Sequence, residues 1–164
     1  MKRRNVLKNL AAVPLAGVAG HEMSVFDKPG KGGEWLPKKE QIAPVYKGSA
    51  PVSLCIRSGH LVFLSGIGGW YEHRRAEPGD IKVQIASALT DMKNQLEQAG
   101  TSMANVLKVH MTVVDPNNNI GPLNEVYQTF FPDPKPARSY TGCTADLMGR
   151  DGILVQIDCV AYID

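Results

Sequence analysis

The chain has 164 residues, of which 43% are hydrophobic and 21% charged, and its formal net charge is +2. That balance describes one globular domain able to bury a proper core, and it excludes a disordered segment or a small disulfide-stapled scaffold. The basic side chains Lys2, Arg3, Arg4, Lys8, Lys28, Lys31, Lys38 and Lys39 all precede the first strand-like run, so the remainder is acidic and no nucleic-acid face is expected.

The opening Lys2-Arg3-Arg4-Asn5-Val6-Leu7-Lys8 is followed by a mildly apolar stretch at residues 10–19, and the small residues Gly17, Val18, Ala19 and Gly20 offer a cleavage site at its end. Charge, apolar run and small residues in that order are similar to a twin-arginine export signal, with Val6 where phenylalanine is more usual. The stretch is too short to span a bilayer. Residues 1–20 are therefore expected to be removed on export to the periplasm, leaving no stable membrane insertion. The alternative is a basic amphipathic helix retained on a cytoplasmic protein. Residues 21–43, centred on Lys28-Pro29-Gly30-Lys31-Gly32-Gly33, read as a flexible arm with Trp35 and Leu36 as a docking point. Residues 44–164 hold the folded domain.

Residues 52–57 and 60–65 are strand-like and joined at Ser58-Gly59, a dipeptide suited to a tight hairpin. A loop over residues 66–79 follows. Asp80 is a good helix N-cap; Ile85, Leu89, Met92, Leu96 and Ala99 recur at helical spacing until Gly100 supplies the stop. Residues 106–114 alternate, with Leu107, Val109, Met111 and Val113 on one face and Lys108, His110 and Thr112 on the other. Asp115-Pro116-Asn117-Asn118-Asn119 reads as a turn before a second helix at residues 123–131. Residues 138–144 and 153–163 are the closing strands, the last with strict alternation of Ile153, Val155, Ile157, Cys159, Ala161 and Ile163.

This order predicts an α+β domain in which two helices cover one face of a single sheet. In the first hairpin Leu54, Ile56, Val62 and Leu64 are read in one phase and Cys55, Leu61 and Phe63 in the other, so neither face is polar. An apolar face with no helix left to cover it predicts self-association. Cys55, Cys143 and Cys159 lie far apart without the paired spacing of a metal or redox site, so no metal is implied. Plain burial is the expectation for them, with oxidation of one pair the alternative in an exported protein.

The second helix carries Leu123, Val126, Tyr127, Phe130 and Phe131 on its apolar side, and Pro132, Pro134 and Pro136 then fix the backbone leading to Arg138. A guanidinium aimed in this way is preorganised to grip a carboxylate through two parallel hydrogen bonds, unless it pairs with a structural carboxylate of the chain itself. The wording Asn124-Glu125-Val126-Tyr127, Phe130-Phe131 and Lys135-Pro136-Ala137-Arg138-Ser139 resembles the RidA/YjgF family of imine and enamine deaminases. The strand end Leu61-Val62-Phe63-Leu64-Ser65-Gly66 and the helix start Gly79-Asp80-Ile81 extend the resemblance.

The resemblance implies a single mixed sheet with two helices on one face, a homotrimer with a central barrel, and sites between subunits. It implies that Arg138 binds the substrate carboxylate, that Ser65, Gly66 and Ile67 line the pocket, and that Asn124 stands near it. It also implies hydrolysis of imine or enamine groups on small carboxylate-bearing molecules, with release of ammonia and no cofactor. Three positions depart from the pattern: Val52 replaces a tyrosine, Tyr140 a cysteine, and Gln156 the glutamate of the final strand. Glutamine orients a water but cannot shuttle a proton. Asp158 shares the face of Gln156, Tyr140 offers a replacement hydroxyl, and Trp70, Tyr71 and His73 suit a larger aromatic substrate. The alternative function is a noncatalytic trimer that binds small carboxylates. Nuclease chemistry is not expected, because paired catalytic histidines and a basic face with interleaved aromatics are both missing from the sequence.

Overall fold

The computed structural model describes residues 38–69 and 79–163. The expected export signal, most of the arm, and Trp70, Tyr71 and His73 lie outside the described residues. The elements run β1 (Glu40–Gln41), β2 (Cys55–Ser58), β3 (Leu61–Gly68), α1 (Ile81–Gln98), β4 (Val106–Val114), α2 (Pro116–Phe130), β5 (Ala137–Cys143) and β6 (Val155–Tyr162). Residues 40–41, at the end of the expected arm, pair with β2 as a short edge strand. The sheet order is β1-β2-β3-β6-β4-β5, parallel between β4 and β5 and antiparallel elsewhere. The last strand therefore inserts between β3 and β4, and the single mixed sheet is open, with β1 and β5 at its edges. A barrel does not close within one chain.

Local chemistry sets the helix ends. The Asp80 carboxylate accepts from the backbone N–H groups of Lys82 (2.8 Å) and Val83 (3.2 Å), satisfying two donors that the first turn leaves orphaned. At the other end Gly100, at φ 84°, turns the chain so that its own N–H reaches Glu97 O and the N–H of Thr101 reaches Leu96 O. That bond pair is the Schellman arrangement. The second helix begins earlier than expected. Pro116 is its first residue, because a proline loses nothing where the N–H is orphaned anyway, and Asp115 caps it at φ 42°. The asparagine cluster read as a turn is thus the first turn of α2, with Asn119 Nδ2 donating to Val114 O at 2.7 Å.

The core lies between the helices and one sheet face. Cys55, Val62, Leu64, Val109, Met111, Val113, Val155, Ile157, Cys159 and Ala161 meet Ile85, Leu89, Met92, Leu96 and Leu123, all buried. Each valine, leucine, isoleucine or methionine among them contributes about 1.5–3 kcal/mol on burial. Two expectations about phase are corrected. The hairpin pairs Ser58 with Leu61, so its central residues are Gly59, at φ 61°, and His60; Cys55 then faces the core beside Leu64 while Ile56 and Phe63 face away. In β4 the register shifts between Val106 and Lys108, turning Leu107 out to 47% exposure and putting Val106 into the core.

Among the described residues no helix lies over the second sheet face. Leu61, Phe63 and Tyr162 stand 39%, 41% and 37% exposed at one end of it. His110, Thr112, Thr141, Gln156 and Asp158 give the other end a polar character, each half-buried or exposed.

Candidate functional site

Arg138 is the second residue of β5. The linker before it is tied down by Lys135, whose Nζ donates to the carbonyls of Gln128 (3.1 Å) and Phe131 (2.5 Å) at the end of α2. Backbone register sets Arg138 beside Val109 and Tyr140 beside Met111, both buried under the helices. Side chains of register partners share a face, so Arg138 and Tyr140 project on the helix side, at the sheet edge.

There the Arg138 guanidinium lies over the ring of Tyr127, 4.5 Å from its centroid. Tyr127 is held in turn by Phe131, with ring centroids 4.8 Å apart. Burial pushes the Tyr127 phenol up to about 12, against the lowering influence of Arg138, and its buried hydroxyl has no hydrogen-bond partner among the described residues. No carboxylate pairs with Arg138 among the described residues, which removes the structural-pair alternative within the described part of the chain. Asn124 sits one helical turn before Tyr127 and is exposed, so its amide shares that flank of α2.

Of the other expected residues, Gly66 and Gln156 meet on the opposite face, while Ile67 turns into the core. The register of β3 shifts between Leu64 and Ile67, a bulge at Ser65-Gly66. Ser65 N–H donates to Leu54 O at 2.9 Å and its Oγ to Ser53 O at 2.6 Å, so the hydroxyl is committed to holding the bulge. Gly66 brings the backbone against Gln156: a Cβ there would overlap the Gln156 amide nitrogen. Ile67 is 3% exposed, with its side chain in the core, which leaves only its backbone for a ligand. Gln156 also borders a cavity of about 190 Å³ with Met148, Gly149, Arg150 and Ile153. The loop forming it is pinned by buried Gln84, whose Nε2 donates to Gly152 O (2.6 Å) and whose Oε1 accepts from Leu154 N–H (2.7 Å).

One chain therefore assembles Arg138, Tyr140, Tyr127 and Asn124 on one side of the sheet and Gly66 with Gln156 on the other. It does not bring Arg138, Tyr140 and Gln156 together. A further group, of which the sequence marks only Asp158 as a candidate, lies on the Gln156 side. His110 Nε2 is 3.1 Å from Thr141 Oγ1 and His110 Nδ1 is 3.4 Å from Asp158 Oδ2. Alternation alone placed His110 and Asp158 outward, but only the insertion of β6 beside β4 makes them neighbours.

The family model described as Endoribonuclease L-PSP matches residues 45–163. The chain belongs to this family. Members of the endoribonuclease L-PSP family with solved structures share the fold described above. RidA from an Antarctic Psychrobacter is 25% identical, with a TM-score of 0.64 over 76% of this chain and 99% of that one. A YjgF/YER057c/UK114 family protein from Mycobacterium tuberculosis is 28% identical, with a TM-score of 0.62 over 77% and 100%. In sequence, the 2-iminobutanoate/2-iminopropanoate deaminase of Dermatophagoides farinae is 34% identical over 115 residues, 70% of this chain and 87% of that protein.

Proposed function

We propose that this protein is a hydrolytic deaminase of imine or enamine groups on small carboxylate-bearing molecules. The observation that carries the reading is Arg138, a guanidinium set over the Tyr127 ring at the sheet edge with no carboxylate of its own among the described residues. Such a group is available to take a ligand carboxylate through two charge-assisted hydrogen bonds, and its attraction to the ring beneath helps hold it in place. The relative named 2-iminobutanoate/2-iminopropanoate deaminase supports the same chemistry. A 2-imino carbon is already electrophilic, so hydrolysis needs only a clamped carboxylate, a placed water and a route for protons. That leaves no step requiring a cofactor.

The two half-sites on opposite faces of one sheet meet in this reading only between copies. A homotrimer would bury the apolar end of the uncovered face and bring Arg138 of one copy toward Gln156 and Gly66 of the next. Export belongs to the same proposal: the mature protein starts near residue 20 and is periplasmic. Replacing Arg3 and Arg4 by lysine then holds the precursor inside the cell, whereas full-length protein confined to the cytoplasm contradicts export alone.

A second reading, a noncatalytic carboxylate-binding protein, is favoured by Gln156, which cannot carry a proton. The deciding experiment mixes the protein with a freshly generated 2-imino acid and follows ammonia and 2-oxo acid. Release faster than in buffer supports the deaminase. Saturable binding with an unchanged rate supports the binding protein.

A further inference from the structure

We propose that His110, held between Asp158 and Thr141 on the uncovered sheet face, is the proton-transfer residue of this protein, doing what Gln156 cannot. The inference rests on the deaminase reading and names a catalytic residue that the motif resemblance does not supply. Asp158 Oδ2 lies 3.4 Å from Nδ1, a charge contact longer than a hydrogen bond, and the negative charge of the ionised carboxylate favours the imidazole tautomer with the proton on Nδ1. Nε2 is then a lone-pair acceptor, and the Thr141 hydroxyl, 3.1 Å away, donates to it. An orienting carboxylate, an imidazole and a hydroxyl in this order are the parts that make a histidine a general base toward an O–H group. A water bound beside it takes over this acceptor when the Thr141 hydroxyl rotates away from Nε2.

Position supports the role. His110 pairs across strands with Asp158 and Ser139, and the next row on the same face is Gln156, Thr112 and Thr141. The bond from His110 to Thr141 leans the imidazole toward that row. Diagonal neighbours in an antiparallel pair stand about 7 Å apart, a gap that one water spans between imidazole and amide. Gln156 would orient the water and His110 would take its proton. Among the described residues, the charged groups on this face near the imidazole are Asp158 beside it and Lys108 two residues back on β4.

The step balances without another reactant. Water oxygen bonds to the carbon of a protonated imine, the C=N π pair moves to nitrogen, and Nε2 accepts the proton that the water gives up. The imidazolium then protonates the amine of the carbinolamine. The C–N bond breaks with its electrons on ammonia, the hydroxyl proton passes back to Nε2, and the C=O bond forms. That last proton leaves with ammonia as ammonium, restoring neutral His110.

The test compares the parent protein, His110→Ala and His110→Gln for hydrolysis of a freshly generated 2-imino acid, with and without added imidazole. His110 is half-exposed, so both variants should keep the parent's melting temperature within a few degrees. Both should lose about 100-fold or more in kcat with little change in KM. Imidazole should restore part of the rate to His110→Ala, where it has space, and none to His110→Gln; a structural role for His110 would not produce that difference. Parent-level turnover in both variants overturns the assignment while leaving the deaminase reading intact. No turnover by the parent protein, with binding retained, overturns both.

Discussion

The two faces of the sheet differ in what they do with polar side chains. On the helix face, polar side chains stand toward the sheet margins: Arg138 and Tyr140 on β5 project past the core residues Val109 and Met111, and Arg57 on β2 lies beside Val62 and donates to Gly59 O. On the uncovered face the middle of the sheet carries them: Gln156, Thr112, His110 and Asp158 occupy the central strands β4 and β6. A buried arginine without a counter-ion is costly, whereas a sheet edge lets the same group lie on an aromatic ring and keep its fork available. A polar row at the sheet centre is tolerable only where no helix covers it. The comparison teaches that an arginine set on an aromatic ring and a row of polar side chains can be built into opposite faces of one sheet without meeting in one chain.

Breaking the helix-face half should have the largest effect. Arg138→Ala removes the fork and leaves a ligand carboxylate to be desolvated alone, costing about 2–4 kcal/mol in binding or transition-state stabilisation, or about 30- to 1,000-fold in kcat/KM. Arg138→Lys should recover only part, because a point charge lacks the planar fork. Steady-state kinetics and calorimetric titration with simple carboxylates read this directly.

The loop beside Gln156 is the next place to press. Gln84→Ala strands Gly152 O and Leu154 N–H and opens a void in the core, so urea unfolding should show a loss of about 2–4 kcal/mol. Gly66→Ala should act on the other quantity. The added methyl displaces the Gln156 amide, the end of a flexible side chain, so stability should fall by less than about 1 kcal/mol while turnover drops about tenfold.

The thiols separate core face from edge with a smaller effect. Burial pushes Cys55 up to about 11 and Cys159 to about 12, while half-buried Cys143, also raised, has its Sγ 3.3 Å from Met148 Sδ. At pH 8 a thiol reagent should modify Cys143 first and reach the other two only as fast as the fold opens. The folded state holds the Cys55 and Cys159 protons more tightly than the unfolded chain does. Stability should therefore be complete below about pH 9 and decline as pH rises through 11 and 12, read as a falling melting temperature.

Much of this fold is legible in the sequence because its strongest signals are local. Asp80 and Gly100 bracket α1 through hydrogen bonds made within a few residues, and the alternation of β4 and β6 needs only one buried face. What is not legible depends on register. A one-residue displacement of the hairpin turn moved Cys55 to the core, and one extra residue in β4 exposed Leu107. Of the candidate site, Arg138 and its linker were readable because proline fixes the backbone locally. The separation of Arg138 from Gln156, and the meeting of His110 with Asp158, follow from strand order, which no local pattern carries.

The central claim, that Arg138 and Gln156 act together only across two copies, is tested most directly by complementation. Arg138→Ala and Gln156→Trp each disable one half-site, and each alone should be nearly inactive. Mixed in equal amounts, unfolded and reassembled together, they should regain activity at the contacts that pair an intact Arg138 with an intact Gln156. Random assortment makes those about one quarter of all contacts. Recovery approaching that fraction is the predicted result, and activity no higher than that of the separate variants would contradict a shared site.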